Sequence, residues 1–466
     1  MHETIYLQAG PTANFLGSHF FCTEFAYYPE ITEDDAVVDL DVVFRNAQSQ
    51  NARTPYHPVN AHNADNFRGI PVADEPDDDD DDPTWSGRIE RYITRPPTTT
   101  DTIDREITSW SNLPLDYDPE RSLLPITNNA HPDWDTQSPE GNAWGDWSAG
   151  RERYIAVRDK LEDRLRLQAE DCDLLQGIQS TFDTPSFGSF SVAALQFIKD
   201  EYNKTPLLAF PILSSESFMS EVPNIDDQTA YRKILNDSLV IAGLEGQDDP
   251  LANLIVPIQS PRSWIPGEWS GGVVFESSKI YETTALLSTH IESITLPMRL
   301  PKTAVDMYSF IRHLNWRGHT RIASLSGAFP APKSLKATSG ATTNATLPYA
   351  LRYVSRDAQL VTDAQISYPL LQMTQAPLYP IHHAYPAFVQ TTNHGVVSAL
   401  ATSSAPAALL ATYARVVERA VALKMDVRGS LGLGEDVDVD MMKEIAERLW
   451  TLRDGYAENE SASESK

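Results

Sequence analysis

The segment Ile5-Tyr6-Leu7-Gln8-Ala9-Gly10, with Asn14, Gly17 and Phe20 close behind, constrains the fold more than any other stretch. A short apolar strand stops at a glycine and an aromatic-rich helix starts at once. In an α/β sheet such a junction lies at the carboxyl end of the strand, where a helix N-terminus can receive a phosphate. Pro11 weakens that use, because proline has no backbone N–H and removes one donor from the first turn.

The same alternation recurs along the chain. A second strand is predicted at 36–44. Tyr154, Val157, Leu161 and Leu165 recur at steps of three and four, which predicts an amphipathic helix over 151–170. A strand at 174–179, a helix at 191–202, a strand at 207–213 and helices at 230–244 and 277–294 follow. Strands and helices alternating at this spacing imply a mostly parallel, Rossmann-type α/β sheet with helices on both faces. Beyond Pro301 a helix at 304–314 and strands at 321–329 and within 349–371 imply a second, α+β domain. Residues 377–386, rich in Pro, His and Tyr, read as loop. Two C-terminal helices close the chain, one capped by Ser404 with Pro406 in its first turn and reaching 423, the other at 438–455. The expected division is therefore 1–300, 301–400, 401–457 and a disordered tail at 458–466.

Between about 45 and 140 the composition shifts to proline, aspartate, asparagine and threonine, and 77–82 are six consecutive aspartates. Like charges in a row repel and resist burial, so an acidic, solvated insertion is expected, with ordered islands at 85–93 and 109–125. The whole chain carries 65 acidic against 37 basic residues in 466, a formal charge of −28. That balance argues against a nucleic-acid partner, which demands a basic surface, and against direct binding to anionic lipid. Two cysteines, Cys22 and Cys172, give no disulfide framework. No basic leader, matrix presequence or transmembrane-length apolar run is read from the sequence, which points to a protein facing the cytosol. His382-His383 with His57, His62 or His394 lacks metal-ligand spacing, so no metal site is expected. Gly267-Glu268-Trp269-Ser270-Gly271 sets its serine one position too late for a nucleophile elbow. Trp264 and Trp269 read as packed aromatics rather than a binding edge.

Several segments, in order, carry a resemblance. Gln8-Ala9-Gly10, Asn14 and Gly17 resemble the opening of tubulin, although Pro11-Thr12-Ala13 departs from it. Asn142-Ala143-Trp144-Gly145 with Gly150 and Glu152 is similar to a tubulin loop before a helix. Cys172, Leu175-Gln176-Gly177 and Gln179 resemble the strand leading into tubulin's glycine-rich phosphate loop, and Glu201-Tyr202 the end of the next helix. Residues 287–299 and 306–330 resemble the end of its central helix and the start of its second domain. Within this frame Trp85-Ser86-Gly87-Arg88-Ile89-Glu90, Trp110 before Asp118-Pro119-Glu120-Arg121-Ser122, and Ser180-Thr181-Phe182-Asp183-Thr184 are similar to the Misato family, also called mitochondrial distribution and morphology proteins.

The resemblance implies a tubulin-like fold and a non-enzymatic role in mitochondrial distribution, morphology, partitioning and mitochondrial DNA inheritance. Where tubulin has its glycine-rich loop, this chain has Asp183-Thr184-Pro185-Ser186-Phe187-Gly188-Ser189-Phe190-Ser191, with one glycine and an added negative charge. The tubulin residues of the hydrolytic region fall at Ala304 and Ser309, and a serine cannot polarise water as a carboxylate does. No catalytic residue and no cofactor are therefore expected. Were GTP retained, its contacts would be Gly10, Asn14, Asn142, Gly188 and Asn236. The implied partners are proteins of the mitochondrial surface or the cytoskeleton, with tubulin or its chaperone among them, and the implied place is the cytosolic face of mitochondria and the cytoplasm. The alternatives are a GTP-binding or GTPase cytoskeletal switch and a tubulin-assembly cofactor.

Overall fold

Every residue of β1 (Glu3–Ala9) is buried, which requires a strand covered on both faces. The computed structural model describes residues 3–27, 147–218, 227–246, 249–264, 273–301, 305–331, 348–356, 370–387, 395–423 and 437–461, together with Ser270 and short stretches between 38 and 126. The strands after β1 are β2 (Phe44–Asn46), β3 (Arg53–Pro55), β4 (Pro58–Asn63), β5 (Leu123–Ile126), β6 (Leu175–Asp183), β7 (Leu207–Ile212) and β8 (Leu254–Ile255), then β9 (Ser324–Ala328), β10 (Ala350–Ser355), β11 (Leu371–Gln375) and β12 (Val397–Thr402). The helices are α1 (Pro11–Ala26), α2 (Trp147–Asp171), α3 (Thr184–Glu201), α4 (Gln228–Glu245), α5 (Ile280–Thr295), α6 (Met307–Leu314), α7 (Pro406–Ala422) and α8 (Val439–Ser461).

Six strands form one parallel sheet in the order β5-β4-β1-β6-β7-β8. Successive side chains point to opposite faces, and β7 displays this cleanly. Leu207 and Ala209 join a core with Ile5, Leu7, Ile178 and residues of α2, α3, α4, α7 and α8. Leu208, Phe210 and Ile212 join a second core with Leu16 of α1, Ile291 of α5 and Phe310 of α6. The α/β expectation of a sheet with helices on both faces is met. A four-stranded mixed sheet, β11-β10-β12-β9, lies beyond α5 and adds Val354 and Leu400 to the second core.

α5 is the element against which α1 and the second sheet both pack. It is buried nearly throughout despite Thr283, Thr284, Ser288, Thr289, Glu292, Ser293 and Thr295. Four of the threonines turn their hydroxyls back on the preceding turn: Thr283 bonds the Lys279 carbonyl, Thr284 that of Ile280, Thr289 that of Ala285 and Thr295 that of Ile291. This is how the hydroxyls are satisfied inside a core.

Several sequence expectations need correction. Of the strand expected at 36–44, residues 42–43 are a turn and only Phe44 is strand, as the first residue of β2, while 36, 37, 40 and 41 lie outside the described residues. β4 and β5 lie within the stretch expected to be an acidic insertion, yet both belong to the main sheet. Their strand character comes from pairing with β1 and with each other, which composition does not register. The aspartate run 77–82 and the island 85–93 lie outside the described residues, whereas Trp110 and Leu113 of the other island are buried beside α1. α3 starts at Thr184 rather than 191, and α2 is longer than expected. Ser404 is not a side-chain cap of α7; its carbonyl receives the Ala407 N–H instead. α8 continues to Ser461 into the expected tail.

Candidate functional site

β1 and β6 are adjacent and parallel, with Ala9 opposite Phe182. Their ends therefore lie side by side, and the two helices that follow start together. Each has proline in its first turn, Pro11 in α1 and Pro185 in α3, where a missing N–H costs nothing and the fixed φ suits the helix. Gly10 joins β1 to α1 at φ 112°, a conformation that L side chains resist.

The polar centre of this junction is Asp183. Its Oδ2 accepts the Thr12 N–H at 2.8 Å and its Oδ1 accepts the Ala13 N–H at 3.0 Å. Pro11 has no N–H, and the Asn14 N–H already bonds the Gly10 carbonyl at 2.9 Å. The backbone donors at the head of α1 are thus all accounted for. Asp183 stands at the N-cap position of α3 without capping that helix; it caps its neighbour instead. Burial pushes its carboxyl up to about 7, while the bonds from Thr12 and Ala13 pull the other way.

A second buried acid lies deeper in the same region. Asp237 of α4 accepts bonds from the hydroxyls of Thr184, Ser214 and Ser217, and from the Ser214 N–H at 3.0 Å. The Tyr413 hydroxyl of α7 closes the set on Ser217 at 2.9 Å. Burial raises Asp237 to about 6 against these donors. The group ties α3, α4, α7 and the segment after β7 into one polar knot inside the first core.

The other residues singled out from the sequence distribute as follows. Asn14 is buried in the first turns of α1. Gly188 lies within α3 against α4, where a Cβ would come 2.7 Å from Val240 Cγ2. Asn236 of α4 donates to the Pro185 carbonyl at 3.2 Å. Gly10 and Asn14 thus share one junction, Gly188 and Asn236 lie at the α3–α4 contact, and Asn142 and Ala304 fall outside the described residues. Ser309 is exposed in the first turn of α6, with its N–H and hydroxyl both bonded to Asp306. His382 is buried against His19, Nε2 to Nδ1 3.3 Å, and burial lowers His19 to about 3. His383 is exposed, and the described residues hold no group of three or more metal ligands. Trp264 packs edge-on to Phe275 and borders a cavity of about 410 Å³ with Leu287, His290 and Leu325.

Comparison with known proteins places this frame. The family model described as the Misato Segment II tubulin-like domain matches residues 2–105, and that of the Tubulin domain matches 96–300. The chain belongs to the Misato family of tubulin-like proteins. It is 26% identical to Protein dml1 of Aspergillus niger over 324 residues, which take in 64% of this chain and 62% of that relative. It is 27% identical to Protein misato of Drosophila melanogaster over 186 residues, 37% of this chain and 31% of the relative. For Protein misato homolog 1 of Mus musculus the identity is 24% over 236 residues, 49% and 40% of the two chains. The chain thus spans less than two thirds of the length of each of these Misato-family relatives.

A tubulin-type frame implies a guanine nucleotide with its phosphates at the β1–α1 and β6–α3 junctions. The residues present here do not fit those phosphates. The Thr12 and Ala13 amides of α1 are taken by the buried Asp183. Residues 184–191 are wound into α3 rather than held as an open loop, so from Phe187 onward their N–H groups run into the helix ladder. A phosphate would have to displace the carboxylate and meet its charge.

Sequence reasoning missed the partners of Asp183 and the whole Asp237 knot. For the first a signal was present: Asp-Thr-Pro at 183–185 is a helix-start pattern. Nothing local announces the second, whose members come from four separate elements.

Proposed function

We propose that this Misato-family chain is a non-enzymatic organising protein that uses its tubulin-like frame as a rigid body. Its role on this reading is mitochondrial distribution and morphology, with partitioning of the organelle and inheritance of its DNA. The observation that carries the non-enzymatic part is the Asp183 carboxylate seated on the Thr12 and Ala13 amides. Phosphoryl transfer depends on donors aimed at the charge that builds on the transferring group, and here those donors hold a carboxylate of the chain. The mitochondrial part rests on the Misato resemblance.

The working place on this reading is the cytosolic face of mitochondria, with a cytoplasmic pool. No described helix is long and apolar enough to cross a membrane. A charge of −28 repels an anionic lipid surface, so attachment runs through proteins of that surface or of the cytoskeleton, tubulin or its chaperone included. Two measurements test the proposal. Protein purified from its own cells is denatured and its released nucleotide quantified; no stoichiometric guanine nucleotide is expected, and one GTP or GDP per chain would restore the switch reading. Acute depletion followed by imaging should disperse or collapse the mitochondrial network, and a normal network with normal transmission of its DNA would defeat the mitochondrial reading.

A further inference from the structure

We infer that Asp183 is this protein's built-in substitute for a ligand phosphate, an internal anion that closes the head of α1 from within. The argument is one of geometry. Each carboxylate oxygen takes one amide, Oδ2 from Thr12 and Oδ1 from Ala13, as two oxygens of one phosphate would. The Thr12 hydroxyl adds a further bond. Gly10 fits the same reading. A Cβ there would stand 2.6 Å from Asp183 Oδ2 and 2.8 Å from Asp183 Cβ, so the glycine that lets a backbone approach phosphate here lets it approach a side chain.

Among the described residues the carboxylate has no counter-charge, and its donors are the groups at the start of α1. That is the environment of an anion bound at a helix N-terminus. Asp183 also forgoes capping its own helix, α3, to reach α1. One side chain thereby joins the two strand–helix junctions that a bound nucleotide would otherwise bridge. The frame consequently needs no nucleotide to hold these junctions together, and removing the carboxylate should leave two amides open to an external oxyanion.

The test is rescue by inorganic phosphate. The full chain and its Asp183→Ala variant are melted with and without phosphate at constant ionic strength. The parent should show no change in Tm, while Asp183→Ala should melt lower and recover roughly 1–2 °C at about ten times its dissociation constant for phosphate. Asp183→Asn, which keeps one acceptor oxygen, should respond less. A phosphate-dependent rise in the parent, or an Asp183→Ala chain that does not respond, overturns the inference. If Asp183→Ala does not fold, hydrogen exchange on the parent decides: the Thr12 and Ala13 amides should be protected equally with and without pyrophosphate, and added protection would refute internal ligation. This inference shares the Asp183 observation with the non-enzymatic reading, but its test is separate. Absence of rescue would leave the nucleotide content and the mitochondrial phenotype untouched.

Discussion

Replacing Glu292 by glutamine should destabilise the protein severely, because Glu292 is the counter-charge of two guanidiniums that cannot shed their protons. Arg299 is 1% exposed and Arg356 is fully buried, as are Glu292 and Glu24. Glu292 Oε1 receives Arg299 at 3.2 Å and the Tyr27 hydroxyl at 3.0 Å, while Oε2 receives Arg356. Glu24 lies 3.0 Å from Arg299. The cluster joins α1, α5, the segment after α5 and the end of β10, so it fastens the two sheets through the central helix. Glutamine keeps the shape and removes the charge, so no cavity is created and the electrostatic effect is isolated. Arginine stays charged at any accessible pH. An uncompensated buried charge costs roughly 3–5 kcal/mol, against a typical total of about 5–15 kcal/mol. The expected fall in Tm is roughly 3–5 °C for a chain of this length. Glu24 supplies an internal check. Burial raises it to about 8, with Arg299 opposing and the Glu292 charge contributing, so Glu292→Gln should move the Glu24 midpoint down. Removing both partners in Glu292→Gln/Arg356→Met should recover about 2 kcal/mol relative to the sum of the single changes. Urea melts of the four proteins, with the Glu24 carboxyl followed by NMR, measure all of this. A Glu292→Gln chain within about 1 kcal/mol of the parent, or a strictly additive cycle, would refute the reasoning.

The remaining predictions concern titration and packing. Burial lifts Glu24 to about 8, Asp183 to about 7 and Asp237 to about 6. An acid whose pKa is raised on folding contributes its full stability below its unfolded pKa and loses it as pH rises through the folded value. Buried His19, His290, His313 and His382 are held below their ordinary value and act in the opposite sense up to about pH 6.5. Tm should therefore fall only above that, between about pH 6.5 and 8, and Glu24→Gln should flatten the fall; stability that climbs between about pH 7 and 8 would contradict it. Gly188→Ala would bring a Cβ 2.7 Å from Val240 Cγ2, costing about 1–3 kcal/mol by overpacking. Adding Val240→Ala should return part of that loss in urea melts, and no recovery would show that the glycine serves something other than the α3–α4 contact.

What the sequence disclosed followed from pattern length. β7 is an unbroken buried run and β6 is buried from Gln176 onward, and α2 keeps its apolar stripe through four turns, so all three were expected, although β6 runs to Asp183 rather than ending at 179. β4, Pro-Val-Asn-Ala-His-Asn, offers no such run, and β5 is four residues long. Their place is fixed by the neighbouring strand, a tertiary effect that overrides local preference. The start of α3 was legible in Asp-Thr-Pro but lost to the resemblance with a glycine-rich loop. The cluster of Glu24, Glu292, Arg299 and Arg356 had no local signal at all. Its members come from distant parts of the chain, and charged residues read singly are assigned to the surface. The five nucleotide contacts expected from tubulin were legible only as aligned positions. Whether those positions face a ligand depends on Asp183, a residue whose charge was visible and whose direction was not.

That direction bears on what can move this frame. A ligand shifts a conformational equilibrium only through contacts that differ between the states. In a nucleotide switch those contacts run from phosphate to the helix starts and the loops beside them. Here the corresponding donors of α1 bond Asp183, the hydroxyls around α4 bond Asp237, and α5 is tied to α1 and β10 through Glu292. Each contact joins one part of the chain to another, so each is made without any ligand. An anion at the head of α1 therefore offers a differential contact only by displacing a buried carboxylate. Protonation of the buried acids is the other change that acts directly on these contacts.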